Sequence, residues 1–155
     1  MTIEIVIPDD FPSVFEGSEA HARAKNFGTV RVCSTQGANE PEELARRVGD
    51  ATVAVNIRAY AHFPEAVFAA CPNLKLVSIW GVGTDNIDFA AAKKHGVTVC
   101  NTPGANAIAV AEHAIALMMA VARKIPQIDR DMRAGNWPRE MLGQLHGKTL
   151  AVLGT

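Results

Sequence analysis

Apolar positions along the chain fall into two periods. Short β-branched runs at Ile3 to Ile7, Val30 to Cys33, Thr52 to Ile57, Leu74 to Trp80 and Val97 to Cys100 read as strands. Helical stretches separate them: Ser18 to Asn26, Pro41 to Val48, Pro64 to Ala70 and the segment after Asp88. Pro41 suits a first helical turn, with Asn39 a candidate cap before it. Asp88 can accept the free amides of the helix that follows, and Lys93, Lys94 and His95 complement its C-terminal dipole. Gly96 then supplies a left-handed stop. Strand and helix alternating at this spacing make βαβ units, so the fold class is α/β: a doubly wound parallel sheet of about five strands.

The pattern changes after residue 104. Ala107 to Ala122 reads as one helix that is apolar nearly all round, and such a helix has to be covered on every side. A small sheet domain covers one face, so a second domain or a second chain is expected on the other. Ile125 to Ala134 reads as an amphipathic helix ending at Gly135, and Gly143 to Lys148 as a loop. Thr149 to Thr155 reads as a strand running into a glycine turn, which is how a new βαβ unit begins. The chain is therefore expected to be the front part of a longer protein, although the same strand can instead complete the first sheet.

Composition narrows the function classes. With 15 Lys+Arg against 16 Asp+Glu, a net charge of −1 gives no basic field for nucleic acid. A 48% hydrophobic content excludes disorder. The N-terminus has no signal-peptide pattern, and the apolar helix is too short to span a bilayer. Cys33, Cys71 and Cys100 are an odd, scattered set with no C-x-x-C pair, which fits free thiols in a reducing cytoplasm. Each is expected to be a small buried hydrophobe.

Candidate chemistry lies in the loops after strands three, four and five, because ligands of open parallel sheets bind at the carboxyl ends of the strands. The first loop carries Asn56, Arg58 and Tyr60; the second is Gly81 to Asn86; the third is Asn101 to Asn106. Gly81-x-Gly83 is not a dinucleotide fingerprint, because position 86 is Asn86. It is either a plain tight turn or a place where backbone amides meet a small anion such as a carboxylate. Arg58 is either a carboxylate or phosphate partner or a solvated surface charge. Asn106 can cap the long helix or offer its amide to a substrate. Glu112 and His113 are adjacent and make no metal pair; a satisfied buried polar pair is the expectation for them. Trp137 is either an interface anchor or an ordinary packing residue.

Taken together these residues carry a resemblance. Gly81-Val82-Gly83-Thr84-Asp85-Asn86-Ile87-Asp88 resembles the G-V-G-x-D-N-I-D segment of the D-2-hydroxyacid dehydrogenases, the group that includes D-3-phosphoglycerate dehydrogenase. Gly96 to Gly104 is similar to that family's G-[IV]-x-V-x-N-x-P-G, and Asn106 with Val110-Ala111-Glu112-His113 to its N-x-x-x-V-A-E-H. Gly135-Asn136-Trp137 and Leu145-His146-Gly147-Lys148-Thr149-Leu150 match its G-x-W and L-x-G-K-T-L. The resemblance is clearest over residues 74 to 155.

It implies a flavodoxin-like substrate-binding domain over residues 1–104. Residues 105–155 would hold an interdomain helix and the first strand of a truncated Rossmann domain that binds NAD or NADP. The implied activity is hydride transfer between that cofactor and a D-2-hydroxy or 2-oxo acid, in a cytoplasmic homodimer with no nucleic-acid or membrane partner. The implied substrate residues are Arg58, Gly81, Val82, Gly83 and Asn106, with the amides of Val82 and Gly83 on the carboxylate. The implied cofactor residues are Val82, Val110 and Gly154. Ala59 follows Arg58 where phosphoglycerate-type members often have Ser, which weakens a phosphate role for Arg58. The family's catalytic Arg, Glu and His are expected beyond Thr155, so the chain as given is expected to be inactive, and Glu112 and His113 do not stand in for them. A non-enzymatic corepressor of the same architecture and a stand-alone flavodoxin-like binding module are the competing readings.

Overall fold

The computed structural model describes residues 3–153. The chain divides into two compact units, the first ending at Ala105 and the second starting at Asn106.

The first unit alternates β1 (Glu4–Ile7), α1 (Glu19–Ala24), β2 (Thr29–Val32), α2 (Pro41–Val48), β3 (Val53–Asn56), α3 (Glu65–Ala70), β4 (Leu76–Ile79), α4 (Phe89–Lys94) and β5 (Thr98–Cys100). The strands form one five-stranded sheet in the order β2-β1-β3-β4-β5. Every pairing is parallel, with Ile5 opposite Val30 and Val53, Val55 opposite Ser78, and Val77 opposite Val99. This is the flavodoxin-like order, with its switch point between β1 and β3.

Right-handed crossovers that reverse direction at that point put helices on both faces. The period of two sorts the side chains accordingly. Val6, Ala54 and Val77 pack with Leu44, Val48, Val67, Phe68 and Ala92 from α2, α3 and α4. Ile5 and Ile7 face the other way, with Phe15 and the α1 residues Ala20 and Ala24. The second predicted strand has the right length but starts one residue late, and the other four are one to three residues longer than the observed ones. Leu74 is an example: its amide closes a turn onto the Cys71 carbonyl before the ladder begins.

Local signals behave as their chemistry dictates. The Asp88 carboxylate accepts the Ala91 amide at 2.9 Å and caps α4, and Gly96 stops it at φ 68°. Asn39 does not cap α2. Glu40 holds the cap position without a side-chain bond, and the Asn39 amide reaches the Glu40 carboxylate instead. Of the cysteines expected to be buried, only Cys71 is, and burial pushes its thiol pKa up. Cys100 is exposed because Val99 takes the core-facing position on edge strand β5, which turns its neighbour toward the face that α1 does not reach.

Two buried carboxylates at the end of β1 hold the loops around it. Asp10 accepts the amides of Val14, Phe15 and Glu16 and the Ser13 hydroxyl. Burial opposes its ionisation, but the amides of Val14, Glu16 and Phe15 and the Ser13 hydroxyl outweigh that, and its pKa lies below the ordinary value. Hydrogen bonds from Arg46 and Arg47 draw Glu43 down to about 2. Both groups are depressed in the folded state, so their stabilisation is complete above the unfolded carboxylate pKa and is lost as the pH falls through the folded one. Denaturant midpoints are therefore expected to fall steeply from about pH 5 toward pH 2. Asp10→Asn should be less stable at neutral pH and flatter across that window; an equally steep profile would remove Asp10 from the account.

The second unit contains α5 (Ala107–Ala122) and α6 (Ile125–Arg133). As predicted, α5 is uninterrupted. No described residue of this unit is buried, and Ile108 and Val121 are 79% and 78% exposed. Glu112 and His113 are not the buried, satisfied pair expected of them: both are exposed, and neither forms a side-chain hydrogen bond among the described residues. The expectation assumed a cover over α5 that this unit does not itself supply. Leu150 to Leu153, read as the start of a strand, is paired with no neighbour among the described residues, and a strand exists only through such pairing. Gly154 and Thr155 lie outside the described residues. Among the described residues, no helix is long and apolar enough to cross a membrane.

Candidate functional site

The loops after β3 and β4 meet at the carboxyl end of the sheet. They enclose a cavity of about 210 Å³ whose walls include Arg58, His62, Trp80, Gly81, Gly83 and Asn86. Asp85 is the acidic group on the wall, and Arg58 and His62 are the basic ones. A larger groove of about 520 Å³ lies over the α1 face of the sheet, but Ile5, Val53, Val55 and Phe27 make it predominantly apolar. Polar chemistry belongs to the smaller cavity.

The turn after β4 is tied down by its carbonyls. The Gly81 carbonyl accepts the Thr102 amide at 2.9 Å and the Thr102 hydroxyl at 3.2 Å, and the Asn101 side chain donates to the Val82 carbonyl at 2.8 Å. Among the described residues, the amides of Val82 and Gly83 donate to nothing in the protein. Neither Gly81 nor Gly83 has a positive φ. A Cβ on Gly81 would meet nothing within 4 Å, and one on Gly83 only the Asp85 Oδ2 at 4.0 Å. Neither backbone conformation nor internal packing therefore calls for glycine at these positions. The space beside these free amides is open, and exposed backbone amides of this kind suit a small anion.

Arg58 comes from the neighbouring loop. Its Nη2 donates to the Pro12 carbonyl, while its Nε is shielded from solvent and has no hydrogen-bond partner. An unpaired buried donor on a guanidinium is costly unless a ligand satisfies it. Tyr60, two residues on, donates to the Asp9 Oδ1 at 2.9 Å. Burial, and then the bond to Asp9, raise the phenol pKa.

Arg58, Gly81 and Gly83 are thus brought to one cavity. Val82 sits on the same turn, half exposed. Asn106 and Val110 belong to the second unit. Asn106 occupies the position before α5 but makes no side-chain cap bond, so its amide is free, and Val110 is 57% exposed. Gly154 lies outside the described residues. His62, Trp80 and Asn86 were not among the residues singled out for a site. The sequence signal for His62 and Trp80 is only that they lie in or beside the loops after strands three and four, whereas Asn86 is also a letter of the Gly81–Asp88 motif.

The chain matches the family described as D-isomer specific 2-hydroxyacid dehydrogenase, catalytic domain, over residues 11–151. It is 48% identical over 115 residues to the D-3-phosphoglycerate dehydrogenase of Archaeoglobus fulgidus, covering 73% of this chain and 22% of that protein. Among solved structures, it resembles the phosphoglycerate oxidoreductase of Vibrio cholerae O395 with a TM-score of 0.67 at 28% identity, covering 93% of this chain and 45% of that one. It also resembles the NAD-dependent formate dehydrogenase of Staphylococcus aureus, solved in complex with NAD, with a TM-score of 0.65 at 27% identity, covering 89% of this chain and 43% of that one. The chain spans about a fifth of the length of the curated relatives it matches. Matched along nearly all of its length and carrying the family's parallel sheet and glycine turn, the chain belongs to the D-isomer specific 2-hydroxyacid dehydrogenases, through their catalytic domain.

Proposed function

We propose that this chain supplies the substrate-binding part of an oxidoreductase in which a 2-oxo acid, NAD(P)H and a proton give a D-2-hydroxy acid and NAD(P)⁺. The observation that carries this reading is the pair of unpartnered amides at Val82 and Gly83, on a turn that shares its cavity with Arg58, whose Nε has no hydrogen-bond partner. Two amides and a guanidinium suit a carboxylate. A protein-docking role, as in a corepressor, does not call for such a set.

Residues 1–104 form the substrate domain in this reading, and residues 105–155 the interdomain helix and the start of the cofactor domain. Val82 presents an apolar, half-exposed side chain beside the free amides, a surface that fits one face of a nicotinamide ring. Val110 and Gly154 are the other proposed cofactor contacts, and Asn106 a further substrate contact. When bound, the cofactor supplies or accepts the hydride. This chain's own residues bind and orient the acid. The three free thiols fit a cytoplasmic protein, and the exposed apolar side chains of α5 fit a homodimer.

Trp80 lines the cavity and reports on it. With Trp137→Phe removing the other tryptophan, glyoxylate or pyruvate is expected to change Trp80 fluorescence saturably, while acetamide does not. A polypeptide limited to these 155 residues is expected not to oxidise NADH with either acid. No saturable carboxylate response would remove the proposed site, and steady turnover above contaminant level would contradict the assignment of the hydride-transfer residues to a later part of the protein.

A further inference from the structure

The loop that carries Arg58 is closed on itself and then clamped from the neighbouring loop. The Ala61 amide donates to the Arg58 carbonyl at 3.1 Å, which makes Arg58 to Ala61 a single turn. The carbonyl of the same Ala61 accepts two side-chain donors, the Asn86 Nδ2 at 2.8 Å and the Asn56 Nδ2 at 3.3 Å. Ala61 is fully buried, and Asn56 and Asn86 are only 2% and 7% exposed, so water does not compete for these bonds. Asn86 grips the segment a second time through its backbone: its carbonyl accepts the Phe63 amide at 2.8 Å. Phe63 and Ile87 then form a parallel bridge. Asn86 ends the loop that begins with the Gly81 turn, so it links the two halves of the cavity directly.

We infer that Asn86 is a positioning residue for Arg58: by holding the Ala61 carbonyl, its carboxamide sets where the Arg58 turn lies against the Gly81–Gly83 turn. The inference rests on the proposed carboxylate site for its functional meaning and on the hydrogen bonds above for its geometry. The chemistry requires an amide. A carbonyl oxygen needs a donor; an aspartate at this position would set a carboxylate against it, and an alanine would leave one of its lone pairs empty. Tyr60 and Pro12 hold the same turn from the β1 side, so without the Asn86 carboxamide the turn stays attached there, and the Ala61 carbonyl keeps only the longer bond from Asn56.

A double-mutant cycle separates positioning from general support. In the Trp137→Phe chain, with glyoxylate as probe and Trp80 fluorescence as readout, Arg58→Ala and Asn86→Ala are each expected to weaken binding about tenfold. The double variant should bind no more weakly than Arg58→Ala alone, because Asn86 acts through Arg58. Asn86→Asp is expected to behave like Asn86→Ala at neutral pH, and serves if the alanine variant does not fold. Additive losses of about a hundredfold in the double variant would overturn the inference, as would an Asn86 variant that binds like the parent. If the parent itself does not bind glyoxylate, the carboxylate reading fails, and amide hydrogen exchange without ligand decides the clamp. Asn86→Ala should lose protection at Ala61 while Val6 and Val77 keep theirs. Unchanged protection at Ala61 would sink it.

Discussion

Gly83→Val is expected to lower kcat/KM for a 2-oxo acid at least about a hundredfold in the oxidoreductase proposed to contain this chain, with NADH affinity nearly unchanged. Position 83 has an ordinary φ, and an added Cβ would approach only the Asp85 carboxylate, at 4.0 Å. The isopropyl group fills the space from which a ligand reaches the Val82 and Gly83 amides. Hydrogen bonds to a charged group are worth about 1.5–3 kcal/mol each, so losing two of them covers a hundredfold comfortably. Steady-state kinetics with circular dichroism as a folding control make the measurement. A folded variant with unchanged kcat/KM would move the carboxylate elsewhere, with Arg58 as the next candidate.

Asp9→Ala is expected to destabilise the first unit by about 3–5 kcal/mol, the range for stripping one partner from a buried ion pair. The Asp9 side chain is 1% exposed and lies 3.8 Å from the Arg47 guanidinium, itself 9% exposed. The same carboxylate accepts the amides of Phe11, Gly37 and Ala38 and the Tyr60 hydroxyl. Truncation orphans these donors together and leaves Arg47 with Glu43 as its remaining carboxylate partner. Urea unfolding measures the loss, and a change under about 1 kcal/mol would show that water replaces the carboxylate. Tyr60 is the only tyrosine, so its absorbance gives a second readout. The phenol should titrate above its ordinary range in the parent and move down once the Asp9 bond is gone.

Asp9 also shows why part of the candidate site is hidden in a linear reading. Its partners lie 28 and 29 residues away at Gly37 and Ala38 and 51 away at Tyr60. They meet because β1 lies between β2 and β3, a consequence of the strand order. Asn86 is recognisable as a motif letter, but its hold on Ala61 spans 25 residues and two loops. His62 has no motif at all and is placed in the wall by its loop. The error over Glu112 and His113 has the same origin, since burial depends on what covers a helix and not on the helix's own composition.

What the amino-acid sequence by itself determined is local. The period of two in the strands, the apolar run of α5, the Asp88 cap with its Gly96 stop, and the glycine turn after β4 each depend on residues within a few positions of one another. Hydrogen-bond geometry and side-chain periodicity act over that range. The tertiary structure alone decided the order β2-β1-β3-β4-β5. It likewise decided the placing of Arg58, His62 and Gly83 around one cavity, and the clamp of Asn86 on Ala61. Those depend on which hydrophobic faces pack together across the whole unit. That packing brings residues from separate loops within hydrogen-bond reach, and no neighbour in the sequence encodes it.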